Sequence, residues 1–414
     1  MTTVELATTG VAAGGDAVAR DGDGRVVFVT GALPGELVAA SVTEEHRHFA
    51  RAIATEVLEP AAGRILPPCP EYARGCGGCQ WLHVEPATQR QLKASIVEDA
   101  LRRLGRIGHA VVDPGPALPS EGFRTTLRLA VDGGRGGFRR ARSHDVVDVA
   151  TCLIAHPLLE PLVTHGRFGS AREVTLRCGA HTGERMAVVS PSADGVALPE
   201  GADDVLVVGA DDLAAGRRAW LHEEVAGRRW RISARSFFQV RPDGAGALVD
   251  AVADLVGPPA SPGERLLDAY GGVGLFGGSL GAERRVTVVE RSASSVADAR
   301  VNLADRDAKV LKLDVERWRP APMDVVVADP ARTGLGAKGV RVLAATGARR
   351  IVLVSCDPGS LGRDAALLSG AGYRWMATRL VDLFPHTPHV EAVTCFDRGQ
   401  SATAVGDEHH RHGD

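Results

Sequence analysis

The sequence predicts an α/β protein: a doubly wound, Rossmann-like sheet at the C-terminus, a small β-barrel at the N-terminus and a central α+β region. Three observations support this. Apolar strand-like runs alternate with helix-like segments from residue 265 onward, a glycine-rich turn follows the first of these runs, and several short strand-like runs fill the first 60 residues. At roughly 150 residues per domain, 414 residues suffice for two to three domains.

The composition is that of a folded protein, with 44% apolar and 24% charged residues. The net charge of −3 argues against histone-like binding of nucleic acid but leaves room for a local basic surface. No run approaches the roughly 18 to 20 apolar residues of a membrane span, and the N-terminus lacks a signal-peptide pattern. We therefore expect a cytoplasmic monomer with no membrane partner.

The barrel is predicted for residues 1–60. Val26–Val29 is a strand candidate, and Gly14-Gly15, Asp21-Gly22 and Leu33-Pro34-Gly35 are turn signals. Short strands at this spacing are typical of an oligonucleotide-binding type of barrel.

Residues 61–235 are predicted as the central α+β region. They begin with a loop rich in Cys, Gly and Pro at 67–80, and a helix is predicted from Ala87 to about Leu104, because apolar residues recur there at helical spacing.

The doubly wound sheet is predicted for residues 236–400, and the tail 401–414 is expected to be disordered. The strand candidates are Arg265–Ala269, Val286–Glu290, Lys309–Lys312, Val325–Ala328 and Ile351–Ser355. Between them lie the helix candidates Ser294–Asp305 and Val340–Thr346. This alternation predicts βαβ units and parallel strands.

A cofactor site is predicted where the first of these strands ends. Gly271, Gly272 and Gly274 allow a sharp turn and close approach of a ligand to the backbone. Glu290 ends the next strand, where an acidic residue can bind ribose hydroxyls, and Asp314 follows the third strand, within reach of an adenine. NAD and S-adenosylmethionine both use such contacts, so these residues alone leave the cofactor open.

Reactive groups lie at the ends of three further apolar runs. Asp329 and Cys356 come directly after two strand candidates, whose carboxyl ends should meet in one crevice. An accessible Cys there can act as a thiolate nucleophile. Glu391 precedes the apolar run 392–396 and can serve as a general base, whereas we interpret His386 and His389 as loop-capping residues rather than metal ligands.

Five segments together resemble one known family. They are Ser-Phe-Phe-Gln-Val at 236–240, Leu-Asp-Ala-Tyr-Gly-Gly-Val-Gly at 267–274, Asp-Pro-Ala-Arg at 329–332, Ser-Cys-Asp-Pro at 355–358 and Phe-Pro-His-Thr-Pro-His-Val-Glu at 384–391. In order and spacing this set is similar to the RNA uracil-C5 methyltransferases of the TrmA/RumA type. The N-terminal unit resembles the TRAM domain that many members carry.

The resemblance implies roles for seven side chains and S-adenosylmethionine as the methyl donor. Cys356 would be the nucleophile and Glu391 the base. The pocket for the methyl donor and the base would be lined by Gln239, Tyr270, Glu290 and Asp329, with Asp314 a further member. This chain departs from the family pattern at Leu275-Phe276, Ala331 and Asp357, and none of these changes removes a catalytic group.

Four cysteines form a candidate cluster site: Cys69, Cys76, Cys79 and Cys152. Their spacing fits zinc or an iron–sulfur cluster and cannot choose between them. The resemblance favours [4Fe–4S] and implies Cys152 as the fourth ligand, with Cys178 as the fallback.

RNA is the expected partner. Residues 119–142 hold six arginines against one Asp and one Glu, and the candidates for phosphate contact are Arg124, Arg128, Arg139 and Arg140. A uridine in folded RNA must leave its stack to reach such a Cys, so we expect base flipping or a loop substrate, with ribosomal RNA preferred over transfer RNA.

Three alternatives compete. A cytosine-C5 methyltransferase also attacks C6 with Cys, although such enzymes usually place Pro before it, where this chain has Ser355. An NAD-linked oxidoreductase would explain the glycine turn but would leave Cys356 and Glu391 without a role. A non-catalytic RNA-binding iron–sulfur protein would use only the barrel and the cysteines.

Overall fold

The computed structural model describes residues 3–141 and 143–399, so the predicted disordered tail and Arg142 lie outside the described residues. Five strands close into an N-terminal barrel in the order β1-β2-β3-β5-β4. Alternate residues such as Val27, Val29 and Val38 point inward and are buried, as period-2 patterning requires. The barrel strands are β1 (Thr3–Val11), β2 (Ala17–Arg20), β3 (Val26–Thr30), β4 (Leu37–Glu45) and β5 (Phe49–Glu59).

The next segment, together with a mixed central sheet, fills the middle of the chain. The segment contains α1 (Pro70–Ala73), α2 (Pro86–Arg103) and β6 (Val112–Asp113). The central sheet runs β13-β10-β8-β7-β11-β12-β14, and β9 pairs with β8. Its elements are β7 (Thr126–Asp132), β8 (Arg135–Arg139), β9 (Val146–Asp148), α3 (Glu160–His165), β10 (Arg167–Phe168), β11 (Glu173–Cys178), β12 (Arg185–Ser190), β13 (Val196–Ala197), β14 (Leu206–Gly209) and α4 (Ala210–Ala214). A separate hairpin follows, formed by β15 (Trp220–Val225) and β16 (Arg228–Ser233).

The C-terminal sheet is doubly wound, with strand order β19-β18-β17-β20-β21-β23-β22-β6. Its elements are α5 (Pro242–Val256), β17 (Glu264–Ala269), α6 (Leu275–Leu280), β18 (Arg284–Glu290), α7 (Ala293–Asn302), β19 (Ala308–Lys312), β20 (Val325–Ala328), α8 (Gly336–Ala344), β21 (Arg350–Ser355), α9 (Pro358–Gly370), β22 (Tyr373–Leu380) and β23 (Ala392–Arg398). The five predicted strands are present, each within two residues of the predicted bounds. The helices α5 and α9 have no counterpart in the sequence prediction.

Strand order determines where the functional groups meet. Strands β17 to β21 are parallel, and the winding reverses beside β17, which opens a crevice at their carboxyl ends. Strand β23 runs antiparallel to β21, and Ala392 is paired with Ser355. The residue after β21 and the residue before β23 therefore lie at the same edge of the sheet.

The segment before the central sheet completes the C-terminal sheet. Strand β6 pairs with the edge strand β22, and α2 packs against α9. The helices approach closely at Gly362, where an added Cβ would lie 2.6 Å from the carbonyl oxygen of Ala100. Residues 86–113 thus belong structurally to the sheet that carries the reactive groups.

Candidate active site

A cavity of about 690 Å³ opens at the carboxyl edge of the C-terminal sheet. It is lined by every catalytic and cofactor-binding residue that the sequence predicted: Gln239, Tyr270, Glu290, Asp314, Asp329, Cys356 and Glu391. They come from seven separate places in the chain, which the strand order brings together.

The glycine turn has the backbone geometry that its sequence predicts. Gly272 and Gly274 have φ of +55° and +88°, in the region that only glycine enters without strain. The Glu290 carboxylate accepts hydrogen bonds from the backbone N–H of Gly272 at 3.1 Å and of Ser292 at 2.6 Å. These bonds hold the turn against the end of β18.

Two polar groups that sequence reasoning did not single out support this turn. Asp268 is fully buried in β17, and one of its oxygens accepts the N–H of Gly277 at 2.8 Å, while the other has no partner among the described residues. Burial raises the pKa of this carboxyl to about 7. Glu316 accepts the Tyr270 hydroxyl at 2.7 Å across the cavity wall. The sequence feature that could have identified Asp268 is a charged residue inside an otherwise apolar strand.

Cys356, Asp329 and Glu391 form an electrostatically linked group. Burial, Glu391 and Asp329 together raise the pKa of the Cys356 thiol to about 11, and Arg332 opposes that shift. Burial first and the Asp268 carboxylate second raise the pKa of Asp329 to about 7. Burial, followed by Asp329, also holds the pKa of Glu391 well above its usual range. Positive charge entering the cavity would therefore favour ionisation of all three.

Glu391 ends the loop of residues 381–391, called the base loop below, which connects β22 to β23. Its first and last residues are joined by a hydrogen bond from the Val381 N–H to the Glu391 carbonyl at 2.8 Å. His386 is buried in the middle of the loop, and its ring Nε2 lies 2.9 Å from the carbonyl oxygen of Ser120. His389 lines the cavity, and burial lowers its pKa to about 4, so the ring is neutral near pH 7. The His386 ring thus ties the loop to Ser120, and the loop-capping roles of the two histidines stay predictions.

The chain matches known proteins over nearly its whole length. The TRAM domain family matches residues 2–55. An RNA methyltransferase of Streptomyces coelicolor is 38% identical over 94% of this chain and 91% of its own length. The 23S rRNA (uracil(1939)-C(5))-methyltransferase RlmD of Halomonas elongata is 32% identical over 96% of this chain and 90% of its own length.

The chain belongs to the RNA (uracil-C5) methyltransferase family. The tRNA (uracil-54, C5)-methyltransferase of Pyrococcus abyssi has the same fold, with a TM-score of 0.73 and 23% identity over 95% of this chain and 99% of that structure. The expected family, fold class and TRAM barrel are confirmed. The family assignment favours uracil over cytosine as the target and leaves no role for nicotinamide-linked oxidation. The roles of individual residues stay predictions.

The four cysteines of the candidate cluster site in this methyltransferase line one small cavity of about 30 Å³ between α1 and the central sheet. The loop that carries Cys76 and Cys79 is tied to the end of β8 by a bond from the Gly77 N–H to the Arg139 carbonyl. Burial and the neighbouring thiols raise the pKa of Cys79 to about 12. Among the described side chains, no group of three or more His, Cys, Asp or Glu has an arrangement that could hold a metal ion. Cys178, the fallback ligand, is instead buried in the core of the central sheet.

The four candidate RNA contacts of the methyltransferase differ in exposure. Arg128, Arg139 and Arg140 are exposed, although Arg128 pairs with Glu173 at 2.6 Å. Arg124 is only partly accessible, and burial lowers its pKa while the Cys79 and Cys152 thiols oppose that shift. Arg124 therefore lies partly buried within electrostatic reach of Cys79 and Cys152 rather than on the open surface. Across residues 3–141 and 143–399, no helix combines the length and apolar character needed to cross a membrane.

Proposed function

We propose that this methyltransferase transfers a methyl group from S-adenosylmethionine to C5 of a uridine in structured RNA, with ribosomal RNA preferred and transfer RNA possible. One observation carries the mechanism: the antiparallel pairing of β21 with β23 places Cys356 and Glu391 at the same edge of one cavity. A thiol and a carboxyl side by side are the two groups that addition and elimination at a pyrimidine ring require.

The cavity fits the methyl donor. Its volume of about 690 Å³ lies in the range of roughly 300–1,000 Å³ that small-molecule sites occupy. We assign Gln239, Tyr270, Glu290 and Asp314 to the walls that hold it, with the glycine turn against it. When bound, S-adenosylmethionine supplies an electrophilic methyl group on a sulfonium.

Cys356 acts first in this proposal. After its thiol loses a proton to water, the thiolate sulfur attacks C6 of the uracil, and the C5–C6 π electrons move onto C5 and O4 as an enolate. Carbon 5 then takes up the methyl group. Asp329, whose pKa is raised to about 7, is in part protonated at neutral pH and can donate a hydrogen bond to the uracil edge.

Glu391 acts second. Its carboxylate removes the proton from C5, the C5–C6 double bond reforms, and the Cys356 thiolate leaves. Because burial raises the pKa of Glu391, its carboxylate is a stronger base than an exposed one. Arg332 favours the ionised forms of both groups. The net products are methylated RNA, demethylated donor and one proton.

The order of steps gives the test. Cys356→Ala should abolish both the covalent RNA adduct and the product. Glu391→Gln should allow attack and methylation but stall elimination, leaving a protein–RNA adduct that survives denaturing gel electrophoresis and carries label from methyl-labelled S-adenosylmethionine. Turnover of Glu391→Gln at the wild-type rate would refute Glu391 as the base. Mass spectrometry of ribosomal and transfer RNA from a strain lacking the protein should identify the substrate through one missing 5-methyluridine.

We further propose that Cys69, Cys76, Cys79 and Cys152 hold a [4Fe–4S] cluster, with zinc as the alternative. The four thiols line one cavity, which supports the ligand set, but the described side chains are not arranged as metal ligands there, so the thiols would have to turn toward a bound cluster. A bound cluster would tie α1 to the central sheet. Anaerobically purified protein should contain iron and sulfide; stoichiometric zinc without iron would refute the assignment.

The RNA surface is proposed to include Arg128, Arg139 and Arg140. These exposed side chains lie along β7 and the end of β8, beside the cysteine cavity. We leave Arg124 out of the direct phosphate contacts because it is less exposed than the other three and lies within electrostatic reach of Cys79 and Cys152.

A further inference from the structure

We propose that Gln89, a buried residue of α2, is a positioning residue for removal of the C5 proton. It fixes the base loop in the orientation that aims Glu391 at the uracil. The inference rests on the proposed role of Glu391 as the base and adds a residue that lies outside the cavity.

The Gln89 amide is fully buried and bonded at both ends. Its Oε1 accepts the backbone N–H of His386 at 2.6 Å. Its Nε2 donates to the carbonyl oxygens of Trp81 at 3.1 Å and Val84 at 2.8 Å, which lie in the turn just before α2. Since α2 and its own preceding turn hold the amide in place, Gln89 presents a fixed acceptor to the base loop.

His386 shows why the loop needs that acceptor. Its φ of +63° lies in the left-handed region, which is strained for a residue other than glycine and persists only where the surroundings impose it. Its carbonyl accepts the Trp81 N–H at 2.8 Å, and because a carbonyl can only accept, ring Nε2 donates to the Ser120 oxygen at 2.9 Å. Since Nε2 of the ring carries the proton, ring Nδ1 accepts from Nε2 of Gln89 at 3.3 Å, so four hydrogen bonds from residues 81–120 converge on one residue of the base loop.

The consequence should be specific to one chemical step. Glu391 ends the base loop, and a general base must lie within about 2.6–3.2 Å of the proton that it removes, so a shift of about 1 Å can cost on the order of 100-fold in rate. Cys356 follows β21 and precedes α9, so its position does not depend on the base loop. Loss of the Gln89 contacts should therefore slow elimination more than attack.

The experiment compares Gln89→Met with two other variants. Gln91→Met is the matched control, because Gln91 lies exposed on the same helix. Glu391→Gln reports on the base itself. Each protein is mixed in single turnover with ribosomal and transfer RNA from a strain lacking the protein and with methyl-labelled S-adenosylmethionine, and the labelled covalent adduct is followed on denaturing gels.

We expect Gln89→Met to form the adduct within about twofold of the wild-type rate and to resolve it about 10- to 100-fold more slowly. Gln91→Met should match the wild type. Equal loss of both rates, as general destabilisation would produce, or no change in either, would overturn the inference. If Glu391→Gln traps the adduct and Gln89→Met does not, only this inference fails. If Glu391→Gln traps nothing, the base assignment fails as well.

A second variant covers the case in which Gln89→Met does not fold. His386→Asn removes the ring contacts with Ser120 and with the Gln89 amide but keeps a residue that tolerates positive φ. The expected result is the same selective delay in adduct resolution, and a wild-type rate of resolution would count against the proposal.

Discussion

Lys93, one turn beyond Gln89 on α2, offers a second way to loosen the base loop. Its ammonium is fully buried and donates to the Asp382 carboxylate at 2.7 Å and to the Phe384 carbonyl at 2.8 Å. Lys93→Met keeps most of the side-chain volume but leaves Asp382 buried without its cation. Breaking a buried pair in this way costs ~3–5 kcal/mol. At tenfold per 1.4 kcal/mol, opening of the loop should become roughly 140- to 3,700-fold more frequent.

Native-state hydrogen exchange measures that opening directly. The amides to follow are those of Val381, His386 and Thr387, which are hydrogen-bonded within or to the base loop. Adding Asp382→Asn to the Lys93→Met variant should restore part of the protection, because the second change removes the orphaned charge. Amides of the N-terminal barrel serve as the internal reference. Acceleration of less than tenfold in Lys93→Met would mean that Asp382 is hydrated after all, and the reasoning from burial would be wrong.

Three further predictions concern other parts of the molecule. Gly15→Ala should lower the free energy of unfolding, measured by thermal denaturation, by about 1–2 kcal/mol, because φ is +91° and the new Cβ would lie 2.6 Å from Pro388 of the base loop. Gly14→Ala is the control and should cost far less, because no described atom lies within 4 Å of its new Cβ. The raised pKa of Asp268, about 7, means that the folded protein retains a proton that the unfolded chain loses above about pH 4, so this carboxyl should lower stability by up to about 4 kcal/mol from pH 4 to 7. Asp268→Asn should remove that contribution from the slope in urea unfolding and leave the contributions of Asp329 and Glu391. Arg139→Ala should reduce the salt dependence of RNA binding by about one unit of slope in log–log plots, whereas Arg124→Ala should leave it unchanged.

The sequence predicted those residues of the site that directly follow a parallel strand. Asp329 and Cys356 follow apolar runs of parallel strands, and such strands deliver their carboxyl ends to one edge. The place of Glu391 depends on the antiparallel pairing of β23 with β21, which local periodicity does not reveal. That part of the site came from the resemblance of the surrounding segment.

Buried polar contacts between distant segments could not be predicted. On α2 the apolar spacing of Leu92, Ile96 and Ala100 suggests one buried face with polar residues in solvent. In the structure Gln89 and Lys93 are buried too, because their partners arrive from almost 300 residues later in the chain. No local pattern encodes a partner at that separation.

The contacts of the base loop also set limits on recombination of this protein with others. A catalytic half cut at residue 236 would contain Glu391 but would lack Trp81, Gln89 and Ser120, whose bonds fix His386. A chimera with a new RNA-reading module should therefore be joined between Glu59, where β5 ends, and Trp81. The catalytic part then keeps all three residues that hold His386. The new module must also have glycine at the position that contacts the base loop, because a Cβ added at Gly15 would lie 2.6 Å from Pro388.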